Sequence, residues 1–506
     1  MDIITSLARS FFRYRIRAVK RYDAHFEQIQ RETLVSLVRK ASGTVWGREH
    51  GYSSIGSYED FARQVPVGDY ASHKPYIHRM MDGEKDVLWK GRVKFFATSS
   101  GTTSDNIKFI PVSGRGLHRC HLMGGRDVTA SYLYAHPESK VVHGYSLILT
   151  GNFNPKYTTK TAKVGDVSAI MAASIPRFFR RVLHILPPTE VAQIADINEK
   201  YVAIGDIITH KNLASFSGTP DWLLVLMRRT MERAGAKSFA QLWPNMEFFA
   251  HGGMSMMPYR PIYEELFSPN KITFIETYNA SEGFFGVQTD TSDPAMMLML
   301  DYDVFYEFVP MSEFGKPDAH AIPVWEAETG VDYALLVTTS SGLWRYAIGD
   351  VVRFTGKAPY KFIIRGRTHQ CINVWGEDLS VQQAEKALRD TCEATGAKVI
   401  EFAVAPLVYA DSAAGHHQWL IEFDKRPEDM TQFAALLEKF VRAEDHDYEH
   451  FSVDAGGILQ PLEVIEARRG LFYEWMDAKG KFGGQHKVPR LSSKRNQFEE
   501  LLSLNK

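Results

Sequence analysis

Several short segments, each ending or following a strand-like run, carry side chains suited to a phosphorylated ligand. The first is Thr98-Ser99-Ser100-Gly101-Thr102-Thr103-Ser104-Asp105-Asn106-Ile107-Lys108, behind a strand candidate at 94–97. Hydroxyls and backbone N–H groups donate to phosphate oxygens, Gly101 lets the chain come close, and Lys108 adds positive charge. The segment is not a Walker loop, which needs G-x-x-x-x-G-K-[ST], and a ligand-free Ser/Thr-rich turn fits the same residues. The second is Glu276-Thr277-Tyr278-Asn279-Ala280-Ser281-Glu282-Gly283. Ligands of open α/β sheets sit beyond the carboxyl ends of strands, so Tyr278 can stack on a base and Glu282 can hold a magnesium ion beside phosphates, or the segment is a plain surface turn. In the third, Leu343-Trp344-Arg345-Tyr346-Ala347-Ile348-Gly349-Asp350, the Asp350 carboxylate can accept two hydrogen bonds from a ribose. A fourth runs from Ile364-Arg365-Gly366-Arg367-Thr368-His369 to Gly376-Glu377-Asp378-Leu379.

Such segments need a scaffold that brings strand ends together. Apolar runs at 94–98, 145–150, 273–277, 334–339 and 361–364 read as strands, separated by Gly and Pro turns and longer helical stretches. Strands alternating with helices imply an α/β core. Ahead of it the chain reads as helical, as at 23–41, where Phe26, Ile29, Leu34, Leu37 and Val38 recur at helical spacing. Beyond Gly366 the pattern is a smaller α+β unit, with strands at 400–405 and 419–423 and helices at 381–395 and 430–445. No repeat, low-complexity tract or long linker separates the parts, so a boundary near 366 is a short hinge.

Composition narrows the partners. Of 506 residues 44% are apolar, and 59 Lys and Arg balance 60 Asp and Glu, so no overall field draws nucleic acid or an acidic membrane. Three cysteines without a Cys-x-x-Cys fit a reducing compartment, and no signal-peptide pattern opens the chain, so the expectation is a cytoplasmic monomer without a membrane partner. Residues 11–21 mix Phe11, Phe12, Tyr14, Ile16 and Val19 with arginines and a lysine. They fit a helix on anionic lipid or, the expected case, one whose aromatic side packs on the body with its charges solvated. His118 and His121 make no metal site as a pair and are expected to line the core or an apolar pocket with Leu117, Met123, Val128, Tyr132 and Met171. His416-His417 reads as an exposed loop, and Cys371 as a small buried apolar residue.

Taken in order, the four segments resemble the nucleotide-binding motifs of the acyl-adenylate-forming superfamily of acyl-CoA synthetases, luciferases and adenylation domains. More closely, the chain resembles the auxin-responsive acyl acid amido synthetase family. The likeness runs through Thr44-Val45-Trp46-Gly47-Arg48-Glu49-His50-Gly51-Tyr52, Tyr58-Glu59-Asp60-Phe61 and Val65-Pro66-Val67 to His486-Lys487-Val488-Pro489-Arg490, over about residues 25–495. It implies a large acyl-adenylate-forming α/β domain at 1–366, its β-sheets flanked by helices, and a small mobile α+β domain at 367–506. It also implies a reaction in which ATP and a carboxylic acid give an acyl-adenylate and pyrophosphate, after which an amino acid amine displaces AMP. By the same resemblance Ser99, Ser100, Thr102 and Thr103 contact phosphates, Gly252 and Gly253 lie against adenine or the acyl group, and Tyr278 lies near adenine, with Ser281 in the same motif. Glu282 binds Mg²⁺, Asp350 binds the ribose, and Arg367 binds ribose or phosphate. Lys487, or one of its neighbours Lys479, Lys481 and Lys494, offsets charge developing at the α-phosphate. His369 replaces a customary hinge aspartate, and Asp105-Asn106 replaces a glycine-richer loop. An acyl-CoA ligase and a non-catalytic nucleotide-binding protein are the alternative readings.

Overall fold

The computed structural model describes residues 3–99, 107–254, 256, 259–316, 319–368, 371–372, 374–375, 377, 379–409, 414–455, 458–479 and 488–506. The chain packs as two compact units.

The larger unit is organised by a twelve-stranded mixed sheet. Its parallel part orders Ile185–Leu186, Tyr145–Ile148, Leu213–Gly218, Phe248–Gly252 and Thr273–Asn279 side by side. Helices such as Ile197–Ile208 and Pro220–Arg233 supply the long crossovers that parallel pairing requires. The sheet then continues, with antiparallel pairings, through Phe284–Val287, Met296–Leu298, Tyr360–Arg367, Tyr346–Lys357, Asp332–Thr339, Val304–Pro310 and Ile322–Pro323. A separate three-stranded sheet joins Lys108–Val112, Phe95–Ser99 and Lys163–Gly165.

The large sheet is strongly curled. Three strands lie between Thr273–Asn279 and Tyr346–Lys357, about 19 Å in a flat sheet at about 4.8 Å per strand. Yet the Tyr278 hydroxyl donates a hydrogen bond to Asp350 Oδ2. Four strands lie between Phe285 and Tyr306, whose ring centroids are 6.0 Å apart. Aromatic side chains fill the concave face: Tyr278 meets Phe285 at 5.0 Å, and Phe354 meets Phe308 at 4.9 Å and Phe362 at 6.5 Å. Edge-on ring pairs of this kind add to the gain from burying their area.

The leading residues are helical, as the periodicity predicts: Ile3–Val19, Tyr22–Ala41, Val45–Glu49, Tyr58–Gln64 and Tyr70–Met81. The first helix departs from the expectation of a packed aromatic side and solvated charges. Phe12 and Val19 pack on the core, but Phe11 and Tyr14 are exposed. Arg15 is buried, and its pairing with Asp127 at 2.7 Å and Asp301 at 2.7 Å offsets the cost of taking a guanidinium out of water.

In the smaller unit Lys398–Val408 and Gly415–Lys425 pair antiparallel, and Glu463–Ala467 lies parallel to the second. Helices Val381–Thr395 and Met430–Glu444 contribute Leu388, Phe433, Leu437 and Val441 to its core. Residues 259–266 belong to this unit by packing: Tyr259 donates to Glu401 at 3.2 Å, and Lys398 pairs with Glu265. Arg490 sits buried between Glu401 (2.7 Å) and Glu385 (2.5 Å). His416 and His417 correct the loop expectation, since both lie on the strand Gly415–Lys425. His417 is fully buried with its Nε2 2.9 Å from Glu377, a pairing that lets an imidazole occupy a core position.

One buried pair ties the leading helices to the large sheet. Arg345, at φ +43°, directs its guanidinium to Glu307 at 2.8 Å and donates to the carbonyls of Ala62 and Val65. Tyr58 donates to the same carboxylate at 3.2 Å. We expect Arg345→Met to strand a buried carboxylate and lower unfolding stability by about 3–5 kcal/mol in urea titrations. Glu307→Leu on that background should restore much of the loss, and an Arg345→Met protein of unchanged midpoint would refute the account.

His73, between the same elements, accepts from the Trp344 backbone N–H at 3.2 Å and stacks on Trp46 at 5.0 Å. Burial depresses its imidazolium to about 4. The unfolded chain, titrating near 6.5, then binds the proton first, so stability falls as pH drops through roughly 6.5 to 4. His73→Asn should flatten this fall by about 2–3 kcal/mol at the acid end, and identical pH profiles of unfolding stability would contradict it.

Candidate active site

The described candidate residues of the larger unit come together at the carboxyl ends of the parallel strands. Gly252 ends the strand Phe248–Gly252 and pairs with Thr277 on the next strand. A Cβ at Gly252 would lie 2.4 Å from the Thr277 carbonyl oxygen, so only glycine allows this approach. Gly253 follows at φ +85°, where side chains are strained, and the two glycines make a backbone shelf. Thr277 braces it by donating to the His251 carbonyl at 2.9 Å. One step further on, Tyr278 leaves its strand for the concave face and meets Asp350, which follows Gly349 at φ +92°. A ring and a carboxylate in contact form a surface that can hold a base and a ribose edge.

Ser281 and Glu282 form the tip of a tight turn, across which Ala280 and Gly283 exchange backbone hydrogen bonds of 2.8 and 3.3 Å. The Ser281 hydroxyl donates to the Thr98 carbonyl at 3.1 Å, joining the second segment to the first. Glu282 is 8% exposed, a carboxylate at a turn tip beside the first segment. Ser99 ends the strand Phe95–Ser99 and pairs across the hairpin with Lys108, whose ammonium lies 6.0 Å above the Tyr70 ring. Ser100, Thr102 and Thr103 lie outside the described residues. Arg367 ends the strand Tyr360–Arg367 and falls in the smaller unit, while Lys487 and His369 lie outside the described residues.

Of the expected pocket residues, His121 and Met171 reach the site. His121 Nδ1 lies 3.2 Å from Asn279 Oδ1, and Asn279 donates to Met171 Sδ at 3.5 Å. Burial lowers the His121 imidazolium to about 4, so the ring is neutral near pH 7. Tyr132 does not belong there. It donates to Glu247, which precedes the strand Phe248–Gly252 at its opposite end. Eleven residues of helix at about 1.5 Å each carry the chain roughly 16 Å from His121 to Tyr132. Cys120 accepts from the Phe284 N–H at 3.1 Å, and burial pushes its thiol up to about 12, which leaves it no nucleophile.

Two residues of this region carry no signal in the sequence. Lys200 is fully buried and donates to the Thr150 carbonyl (2.8 Å), the Gly151 carbonyl (3.1 Å) and Asn152 Oδ1 (2.8 Å). It fixes the loop that leaves the strand Tyr145–Ile148 at the same edge of the sheet, and burial lowers its ammonium to about 8. Asp166 accepts from the Asn152 N–H at 2.9 Å and from the Thr98 hydroxyl at 3.4 Å, linking that loop to the first segment. Only tertiary contact marks them, since Lys200 lies 48–50 positions from its partners.

Comparison with known proteins gives this arrangement a setting. The GH3 family N-terminal domain matches residues 15–205, its central domain 297–367 and its C-terminal domain 382–496. The chain is 24% identical to an indole-3-acetic acid-amido synthetase of Oryza sativa subsp. indica, over 94% of this chain and 90% of that protein. It is 22% identical to a jasmonoyl–L-amino acid synthetase of Nicotiana attenuata, over 94% and 93%. Among solved structures, an acyl acid amido synthetase, AtGH3.15 in complex with 2,4-DB, superposes with a TM-score of 0.78 at 19% identity, covering 96% of this chain and 95% of that one. A 2-hydroxyisobutyryl-CoA ligase in its postadenylation state superposes at 0.61 and 12%, covering 93% and 90%. The last two likenesses are of fold alone; the three domain matches, which together span most of the chain, show that the chain belongs to the GH3 family.

Proposed function

We propose that this protein is an ATP-dependent acyl acid amido synthetase of the cytoplasm, acting as a monomer. The reading rests chiefly on one observation: Tyr278 and Asp350, from strands well separated in the sheet, meet beside the glycine shelf and the Ser281–Glu282 turn. Family membership supports the chemistry, since the curated relatives named above are amido synthetases.

A carboxylate is a poor electrophile and merely pairs with an ammonium near neutral pH. Attack of its oxygen on the α-phosphorus of ATP expels pyrophosphate and gives the acyl carbon a good leaving group. The free amine of an amino acid then attacks that carbon, and AMP departs as the amide forms. In this scheme the Gly252–Gly253 backbone and Tyr278 orient the base, Asp350 accepts from the ribose hydroxyls, and Ser99, Ser100, Thr102, Thr103 and Lys108 hold phosphate oxygens. Magnesium fits the donor set: it binds through one or two carboxylates plus substrate phosphates, and Glu282 offers one carboxylate at a turn tip among hydroxyls. It would supply charge neutralisation of the phosphates. Arg367 and Lys487, carried on a mobile domain at 367–506, would stabilise the charge that develops between carboxylate and α-phosphate and withdraw for amine attack. Neutral His121 and Met171 beside Asn279 suit an apolar or aromatic acyl group.

The test is pyrophosphate release from ATP and Mg²⁺ with aryl and aliphatic acids, with and without mixed amino acids, products being read by mass. We expect an acyl–amino acid conjugate. A thioester formed only with added CoA would favour the ligase reading, and tight ATP binding without release would favour the non-catalytic one. Lys487→Ala should slow adenylation on the order of 10²–10³-fold while sparing amine attack on supplied acyl-adenylate, and equal loss in both half-reactions would exclude this role. Glu282→Gln should weaken the Mg²⁺ dependence of pyrophosphate release with the fold intact, and an unshifted metal titration would remove Glu282 from the metal.

A further inference from the structure

The helix Ile3–Val19 presents three faces. One is docked: Arg15 holds Asp127 and Asp301, Tyr22 and Tyr302 donate to the same two carboxylates, and Arg9 donates to the Leu133 carbonyl at 2.7 Å. Ala8, Phe12 and Val19 pack on the core beside these bonds. The second face is apolar and bare. Ile4, Leu7, Phe11 and Tyr14 recur in steps of three, four and three, which is one stripe of a helix, and they are 55, 66, 63 and 52% exposed. The third is basic, with Arg13, Arg17, Lys20 and Arg21 exposed, and no Asp or Glu occurs from Ile3 to Tyr22.

Single exposed apolar residues are ordinary, but four in register on one helix are not. The stripe cannot turn inward, because the buried ion pairs of Arg15 fix the rotation of the helix. Its flank selects the occupant. A second copy would bring arginines against arginines, whereas phosphate headgroups complement them and an acyl boundary accepts the stripe.

We propose that helix Ile3–Val19 seats the protein reversibly on an anionic lipid surface, with Ile4, Leu7, Phe11 and Tyr14 at the acyl boundary and Arg13, Arg17 and Arg21 among the headgroups. One short stripe with a handful of charges gives weak, salt-sensitive attachment. This departs from the expectation of no membrane partner, and it is independent of the reaction assigned above.

Co-sedimentation of the full-length protein with phosphatidylcholine vesicles, and with equimolar phosphatidylcholine and phosphatidylglycerol vesicles, tests it. Binding is expected on the anionic vesicles alone, with release at high salt. Leu7→Ser with Phe11→Ser should lower partitioning by about tenfold or more, and Arg13→Gln with Arg17→Gln roughly thirtyfold, at unchanged thermal midpoint. The exposed Phe178 and Phe179 of the helix Arg177–Val182 provide the control, and their replacement by Ser should leave binding intact. Absence of binding, equal binding to both vesicles, or loss with Phe178→Ser and Phe179→Ser alone would overturn the proposal. So would a dimer in light scattering that Leu7→Ser with Phe11→Ser dissolves, since a second copy would then cover the stripe.

Discussion

The curvature of the large sheet, fixed where Tyr278 meets Asp350, is the constraint from which the site follows. A flat sheet would leave the two residues about 19 Å apart and spread the candidate ligand groups along an open edge. Closing that distance requires an interior that tolerates strong bending, and the ring pairs among Tyr278, Phe285, Tyr306, Phe354 and Phe362 supply it. The same bend turns the carboxyl ends of the parallel strands toward the antiparallel half. A parallel half that presents a glycine shelf thereby faces an antiparallel half that presents a carboxylate.

Around this centre several buried guanidinium groups are held by carboxylates. Arg345 with Glu307, Arg15 with Asp127 and Asp301, and Arg490 with Glu385 and Glu401 each join elements distant in sequence. Hydrophobic contact alone is non-directional, whereas a guanidinium fork fixes angle and register. Lys200 applies the same logic to a loop, spending its donors on two carbonyls and an amide oxygen. A rigid scaffold is what substrate alignment needs, since small displacements of reacting groups lower rates steeply.

Much of the fold was legible because it is locally encoded. The helix Val381–Thr395 is bounded by a Ser380–Gln383 capping box and by Gly396 at φ +67°, and its ends match the periodicity. The strands after which the chemistry falls, such as Thr273–Asn279, announce themselves as apolar runs before polar turns. Illegible were the partners of charged side chains: nothing near Arg15 in sequence points to Asp127 or Asp301, 112 and 286 positions away. His416 and His417 misled because Ala and Gly precede them, although His417 is carried into the core by Glu377, 40 positions earlier. Tyr132 misled in the opposite way, since helical spacing alone does not tell which end of a sheet a helix reaches.

The smaller unit borrows residues 259–266 from the middle of the larger unit's sequence. Tyr259 leaves the ribosome 142 residues before Glu401 and 231 before Arg490, the groups it touches in the finished protein. During synthesis this segment must therefore wait, tethered to a nascent sheet, while most of the remaining chain is made. A fragment beginning at residue 367 would likewise lack part of its own interior, so separating the two halves genetically is not the same as separating them physically.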